Sequence, residues 1–411
     1  MIFIIWTGID YIRDTFNFVF IALYFLMSIS GIQINNQIIN YTLLKYINQL
    51  KEKINKYSDE WDSIKKCTNP FEYIHTPYPN SKLPICKLKP LSRAFFKFIE
   101  IINIFDIFKV YEDKPITSFH LAEGPGGFIE AIQLMRMNKQ DKYYGMTLIN
   151  DINSNIPGWK KSQQFLQKHP NIIIETGIDG IGDLYNPENF EYCRNTYGNS
   201  MDIITGDGGF DFSVDFNKQE DLAFRLILSQ VAYAVVMQKK GGTFILKMFD
   251  TFTQPSIDII YILSSFYNTV QIIKPETSRS ANSEKYVVCM DFKNQCTDAI
   301  AHKLHDIIAV LNNMNLKGIS ISTILNVPIN NFFLSSIENI NAILGQQQLE
   351  NIRLTLKYIE NKERKGERLG HLSNKNIQKC IKWCIKYNLP YNKINNSGNI
   401  FLNSSKKLFT S

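Results

Sequence analysis

Between residues 92 and 290 the chain switches repeatedly between two hydrophobic rhythms. Short apolar runs, bounded by turn residues, predict strands at Ser118–Ala122, Tyr143–Ile149, Asn171–Glu175, Met201–Thr205, Gly242–Met248, Thr269–Ile273 and Lys285–Met290. Between them, apolar positions three and four apart predict helices at Phe128–Met137, Lys160–Lys168, Gln219–Gln238 and Pro255–Phe266, with a leading helix at Ser92–Phe105. Strands that alternate with helices form a mostly parallel sheet covered on both faces. The last two strands are joined only by Lys274–Glu284, too short for a helical crossover, so they are expected to be antiparallel neighbours. The fold class is therefore α/β, Rossmann-like, with a mostly parallel seven-stranded sheet.

Outside that region the rhythm changes. Residues 1–69 read as a helical extension, with apolar residues at helical spacing along Tyr41–Tyr57. Within it, Phe16–Ile29 is nearly all apolar but shorter than the ~20 residues of a spanning helix, so stable membrane insertion is not expected. A helix packed on the main domain is the reading preferred there, with a membrane-associating segment and a start site placed too early as the alternatives. Residues 70–295 form the α/β domain. Residues 296–411 read as a helical appendage, with a charge-rich solvated stretch at Lys362–Arg368 and a short helix around Trp383 and Cys384 that ends before Pro390.

The stretch 68–90 is punctuated by five prolines and mixes Phe71, Tyr73 and Tyr78 with Lys82, Lys87 and Lys89. Aromatics and cations on a stiffened loop suit a stacked base and a phosphate; an ordinary surface loop is the equal alternative. The formal net charge of +7 over 411 residues favours an anionic partner, though modestly. Seven scattered cysteines with no Cys-x-x-Cys pair, and six histidines that do not cluster with them, support neither a zinc site nor a disulfide framework. No metal is expected, and the cysteines suit a reducing, intracellular setting.

The chemistry gathers at predicted strand ends. The run Ala122-Glu123-Gly124-Pro125-Gly126-Gly127-Phe128 follows one strand and opens a helix, which is how an α/β fold brings main chain close to a nucleotide-like ligand. It is not the dinucleotide pattern GxGxxG, and a tight strand-to-helix turn is the plainer alternative. Asp207 follows Met201–Thr205 and precedes Gly208-Gly209, on the same sheet edge. Lys247 lies inside the apolar run Phe244–Phe249, so it either snorkels out or enters a polar site. Lys97 and Glu284, taken singly, read as surface charges; the set of four suggests activation of a poor nucleophile without a metal.

These residues carry a resemblance. Ser92–Lys97, HLAEGPGGFIEA (120–131), GMTL (145–148), GIDGIGD (177–183), PENF (187–190), Asp207-Gly208-Gly209 and KPETSRSANSEKYVVC (274–289) are similar to the FtsJ-like RNA 2′-O-methyltransferases. Within that family they resemble the Adrift-type mRNA cap enzymes of eukaryotes and viruses. The resemblance spans roughly residues 70–295. It implies a methyltransferase fold, S-adenosylmethionine as cofactor, capped mRNA as partner, and methyl transfer to the ribose 2′-hydroxyl of the first transcribed nucleotide. It places a Lys-Asp-Lys-Glu tetrad on Lys97, Asp207, Lys247 and Glu284. It places cofactor contacts at Ser92, Glu123, Gly124, Pro125, Gly126, Gly127, Phe128, Asp183 and Asp207, and RNA contacts at Asn217, Asn282 and Arg279. Many methyltransferases end their second strand on an acid that holds the cofactor ribose; here that strand ends Thr147-Leu148-Ile149-Asn150, and Asp151 comes late. A ribosomal or transfer RNA methyltransferase using the same tetrad is the neighbouring reading. A non-catalytic RNA-binding module is the reading from another class, and the presence of all four tetrad residues counts against it.

Overall fold

The computed structural model describes residues 38–393 except 113, 151–155, 210–215, 294–295, 314–319, 326–327 and 362–364, together with the backbone of 4–7 and 27–28. Its strands are β1 (Ile4–Thr7), β2 (Met27–Ser28), β3 (Thr117–Leu121), β4 (Lys142–Met146), β5 (Ile172–Glu175), β6 (Met201–Gly206), β7 (Gln238–Met248), β8 (Tyr267–Ile273), β9 (Lys285–Phe292) and β10 (Ser320–Ile321). Its helices are α1 (Tyr41–Ile54), α2 (Ser58–Thr68), α3 (Ala94–Phe105), α4 (Gly127–Arg136), α5 (Gln163–Lys168), α6 (Pro187–Tyr197), α7 (Gln219–Met237), α8 (Gln254–Phe266), α9 (Asp298–Asn313), α10 (Asn331–Glu360) and α11 (Lys365–Lys386).

The seven predicted strands form one sheet in the order β8-β9-β7-β6-β3-β4-β5. Neighbours from β5 to β7 are parallel, and β9 runs antiparallel between β7 and β8, as the short loop before it required. The chain winds outward from β3 to β5, then returns to the other side of β3 with β6. Strand order therefore reverses between β3 and β6, the place where open α/β sheets bind ligands. Register aligns the strand ends there: Leu121 pairs with Gly206, and Gly206 with Leu246. One residue further, Lys247 pairs with Tyr286.

Side chains alternate across the sheet and feed two cores. Ile203, Ile245, Tyr286 and Val288 face α3 and α4, where Phe98 stacks on Phe128 at 4.3 Å between ring centroids. Ile204, Leu246, Val287 and Cys289 face the core shared by α6, α7 and α8. Helix α7 is buried almost all round from Ala223 onward, because α9 covers the side that the sheet does not. Among the described residues no helix is long and apolar enough to cross a membrane.

Several expectations need correction. The N-terminal extension is not wholly helical: β1 adds antiparallel to β8 at the sheet edge, and β2 pairs with β10. The apolar segment Phe16–Ile29 lies outside the described residues apart from Met27 and Ser28. Strand β4 stops at Met146, because Thr147 is packed between the glycine turn and the 177–182 loop. Helix α6 was not anticipated: only Phe190, Cys193 and Tyr197 are buried apolar positions on it. Its start is nonetheless written in the sequence, with Asn186 accepting the Glu188 amide hydrogen bond and Pro187 in the first turn.

Among the described residues the helices of the C-terminal part are longer than expected. The helix around Trp383 is not short: α11 runs for 22 residues, and the charged stretch from Lys365 onward opens it. Helix α10 lies along α1 and α2, and Gly345 admits the close approach of Leu43. Helix α11 packs on α2 and on the turn Glu72–Ile74, where Tyr73 pairs with Ser373 at 3.0 Å. Tyr73 is thus a core residue rather than a stacking platform, while Lys82, Lys87 and Lys89 stay exposed.

Candidate active site

The glycine turn begins where β3 ends. Ala122 and Gly126 both hold positive φ, and the Gly124–Pro125 peptide is cis. A Cβ on Gly124 would stand 2.7 Å from the Gly158 carbonyl, and one on Gly127 would collide with Ser92 Oγ. Glycine is what lets the turn, the chain after β4 and the approach to α3 converge. The third wall is the loop 177–182. Gly182 has φ of +71°, and a Cβ there would lie 2.6 Å from the Thr147 carbonyl. Asn189 of α6 secures this loop, accepting from the Ile178 amide (2.8 Å) and donating to the Asp183 carbonyl (3.0 Å). Asp183 is half-buried, with one carboxylate oxygen accepting from the Tyr185 amide.

Glu123 closes the floor. Its Oε1 accepts from the amides of Phe128 (2.6 Å) and Ile129 (3.2 Å), capping α4. Its Oε2 is buried with no protein partner. Burial, and then the charge of Asp207, push its carboxyl well above the usual range. An unpaired acceptor oxygen beside a glycine-walled cleft fits the cationic amino group of S-adenosylmethionine, which would satisfy it.

The charged residues stand next to this cleft. Lys97, on the buried face of α3, pairs with Glu284 at 2.6 Å. Lys247, at the end of β7, donates to the Asp207 carbonyl (2.6 Å) and lies 3.3 Å from its carboxylate. Tyr286 joins the two pairs: its hydroxyl donates to Asp207 Oδ1 at 2.9 Å, and Lys97 Nζ lies 5.9 Å from its ring centre. The sequence expectation that Lys97 and Glu284 are surface charges when taken singly is corrected, since each is only 8% exposed. Burial pulls the Lys97 ammonium below its ordinary range, Glu284 and Asp207 oppose that, and Lys247 and Arg93 add to it. For Glu284, burial would raise the carboxyl; Lys97, Lys247 and Lys274 outweigh it and hold the carboxyl well below the usual range. Lys97 thus lies in the field of Glu284, Asp207 and Lys247, and Glu284 in that of both lysines.

The remaining predicted residues divide. Ser92 lies against Gly127 and accepts from the Ala94 amide (3.2 Å). Asn282 accepts from Lys274 through its side-chain oxygen (3.0 Å). Arg279 spans both carboxylate oxygens of Glu72, at 3.1 and 2.8 Å, and Asn217 is exposed in the turn Phe216–Lys218. Asp151 lies outside the described residues. Three contributors carried no assigned role in the sequence reading: Tyr286, Lys274 and Glu100. Only the register of β7 with β9 identifies Tyr286 as the neighbour of Lys247.

A sheet of this order, with a glycine-rich strand-to-helix turn at its switch point and a lysine–carboxylate cluster beside it, fits an S-adenosylmethionine-dependent methyltransferase domain. Residues 90–292 match the FtsJ-like methyltransferase family. The chain is 36% identical over 247 residues to the Danio rerio protein named cap-specific mRNA (nucleoside-2′-O-)-methyltransferase 1, covering 54% of this chain and 28% of that protein. It is 34% identical over 186 residues to the protein of the same name from Trypanosoma brucei brucei, covering 43% of this chain and 47% of that one. Among solved structures, human methyltransferase-like protein 13 in complex with SAH covers 54% of this chain and 93% of its own, at 9% identity and a TM-score of 0.34. The chain thus spans about a quarter and about half of the length of the two named relatives.

Proposed function

We propose that this protein transfers a methyl group from S-adenosylmethionine to a ribose 2′-hydroxyl of RNA, at the first transcribed nucleotide of capped mRNA. The observation that carries the reading is the pairing of Lys97 with Glu284 and of Lys247 with Asp207, beside the glycine-rich turn that follows β3. Both relatives named above are cap-specific mRNA methyltransferases, which supports the choice of substrate.

Ser92, Glu123–Phe128 and Asp183 hold the cofactor, which when bound supplies an electrophilic methyl group on a sulfonium. A 2′-hydroxyl is a weak nucleophile, so it must be placed in line and lose its proton as the new bond forms. Lys247 takes or stabilises that proton. Asp207, itself oriented by Tyr286, fixes the Lys247 head group. Lys97 adds positive potential at the reacting oxygen, and Glu284 holds Lys97 in place. Asn217, Asn282 and Arg279 contact the capped RNA.

The test uses labelled S-adenosylmethionine and short RNAs that differ only at the 5′ end: a 7-methylguanosine cap, an unmethylated guanosine cap, or a triphosphate. Label confined to the first ribose of capped RNA is the expected result. Equal labelling of uncapped RNA would move the assignment to a general RNA 2′-O-methyltransferase, and label on no RNA would refute the reading.

A further inference from the structure

The segment from Lys274 to Glu284 joins β8 to β9 without helix or strand, yet it carries Arg279, Asn282 and Glu284. We propose that Glu100 and Lys274 clamp this segment from its two ends, and so act as positioning residues that fix Glu284 and Asn282 for methyl transfer. The inference rests on the function proposed above and extends it to residues outside the tetrad.

Glu100 is fully buried on α3. Its two carboxylate oxygens accept from consecutive main-chain amides, Glu276 at 2.7 Å and Thr277 at 2.8 Å. Lys97 lies one helical turn earlier on the same face and pairs with Glu284. A single helix face therefore grips both the start and the finish of the segment. Arg93, a further turn back, donates to the Thr277 carbonyl at 3.4 Å. Burial pushes the Glu100 carboxyl up to about 7, against those amide hydrogen bonds. An apolar side chain would fill the space without that desolvation cost, so the carboxylate is there for the amides it holds.

Lys274 works from the other side. An ammonium has three donors. Here they go to the Asn282 carbonyl (2.7 Å), the Asn282 side-chain oxygen (3.0 Å) and the Glu284 carbonyl (2.8 Å). All three acceptors belong to the two residues whose position matters. Ser278, between the anchors, donates to Glu284 Oε1 at 2.9 Å and ties the middle of the segment to its end. A misplacement of about 1 Å at a reacting group can cost roughly 100-fold in rate, so a clamp on Glu284 has kinetic weight without touching substrate.

The test compares the full chain with Glu100→Gln and Lys274→Met by three measurements: cofactor affinity by calorimetry, kcat and KM on capped RNA, and amide hydrogen exchange at residues 276–284. Glutamine at 100 offers one acceptor where two amides need one each, and methionine at 274 offers no donor. The expected result in each variant is faster exchange in the segment, kcat lower by about 10- to 100-fold, and cofactor Kd within about twofold of wild type. Faster exchange with unchanged kcat would overturn the positioning role. Parallel loss of kcat and cofactor binding in both variants would reduce it to general stability and likewise overturn it. A wild-type chain that methylates no RNA would refute the function; the clamp would then stand or fall on the exchange rates alone.

Discussion

The two halves of the site are made of different material. Toward β3, β4 and β5 the cleft is walled by main chain, and its defining residues are glycines whose missing side chains let three turns meet: Gly124 against Gly158, Gly127 against Ser92, Gly182 against Thr147. Toward β6, β7 and β9 it is made of long charged side chains, held by one another and by α3, the helix just before β3: Lys97, Asp207, Lys247, Glu284. The first half has shape and little charge of its own beyond Glu123 and Asp183. The second has charge, and its members sit close enough to act on one another. One surface is suited to grip an invariant cofactor, the other to act on a proton, and damage to each has its own signature.

The largest expected effect is on the charged half. Lys247→Ala lowers methyl transfer by about 10³-fold or more, within the range of lost proton-transfer catalysis, and leaves cofactor affinity unchanged. Initial rates and calorimetry on one preparation check this. Glu284→Gln breaks the pair with Lys97 and strands a buried ammonium, so transfer falls by about 10²-fold. On the glycine half, Gly182→Ala puts a Cβ against the Thr147 carbonyl at φ +71°, and cofactor affinity falls about tenfold, the equivalent of ~1.4 kcal/mol.

A pH series sharpens the comparison further. The Glu284 carboxyl lies below its ordinary 4.5 in the folded chain, so the unfolded chain binds the proton first as pH falls. The pair's contribution is complete above pH 4.5 and is lost progressively as pH drops through the depressed folded value. The stability difference between wild type and Glu284→Gln, about 3 kcal/mol for a broken buried pair, is therefore full from about pH 4.5 up to the region near 7 where buried Lys274 loses its proton, and shrinks below that window. Denaturant midpoints from pH 3 to 8 measure it. The smallest effect is a control: Gly370 is exposed in α11 with no atom near its Cβ position. Gly370→Ala raises stability by about 0.5–1 kcal/mol and leaves transfer untouched.

The same contrast governs what could be read from the sequence. In the glycine half the turn Glu123–Phe128 was legible directly, because a glycine run after an apolar strand has a local meaning; the 177–183 stretch stood out only through the resemblance. The alternation of strands and helices was legible too, with β9 antiparallel from loop length alone. The charged half was legible only as a set: Lys97 looks like a surface charge until α3 turns it inward toward Glu284. Glu100 and Lys274 gave no local signal, because their partners are main-chain groups 176 and 8 to 10 residues away. Helix α6 hid behind a mostly polar face, and Tyr73, which looked like a stacking platform, turned out to be core because α11 covers it. What failed to show was each time set by tertiary packing rather than by local propensity.

The most direct test of this division of labour is a crossed measurement on Gly182→Ala and Lys247→Ala: cofactor Kd by calorimetry and single-turnover methyl transfer to capped RNA at saturating cofactor. The predicted result is a crossing pattern, in which Gly182→Ala loses affinity yet turns over near the wild-type rate once saturated, while Lys247→Ala binds normally and does not turn over. Loss of both properties in both variants, or turnover retained by Lys247→Ala, would contradict it.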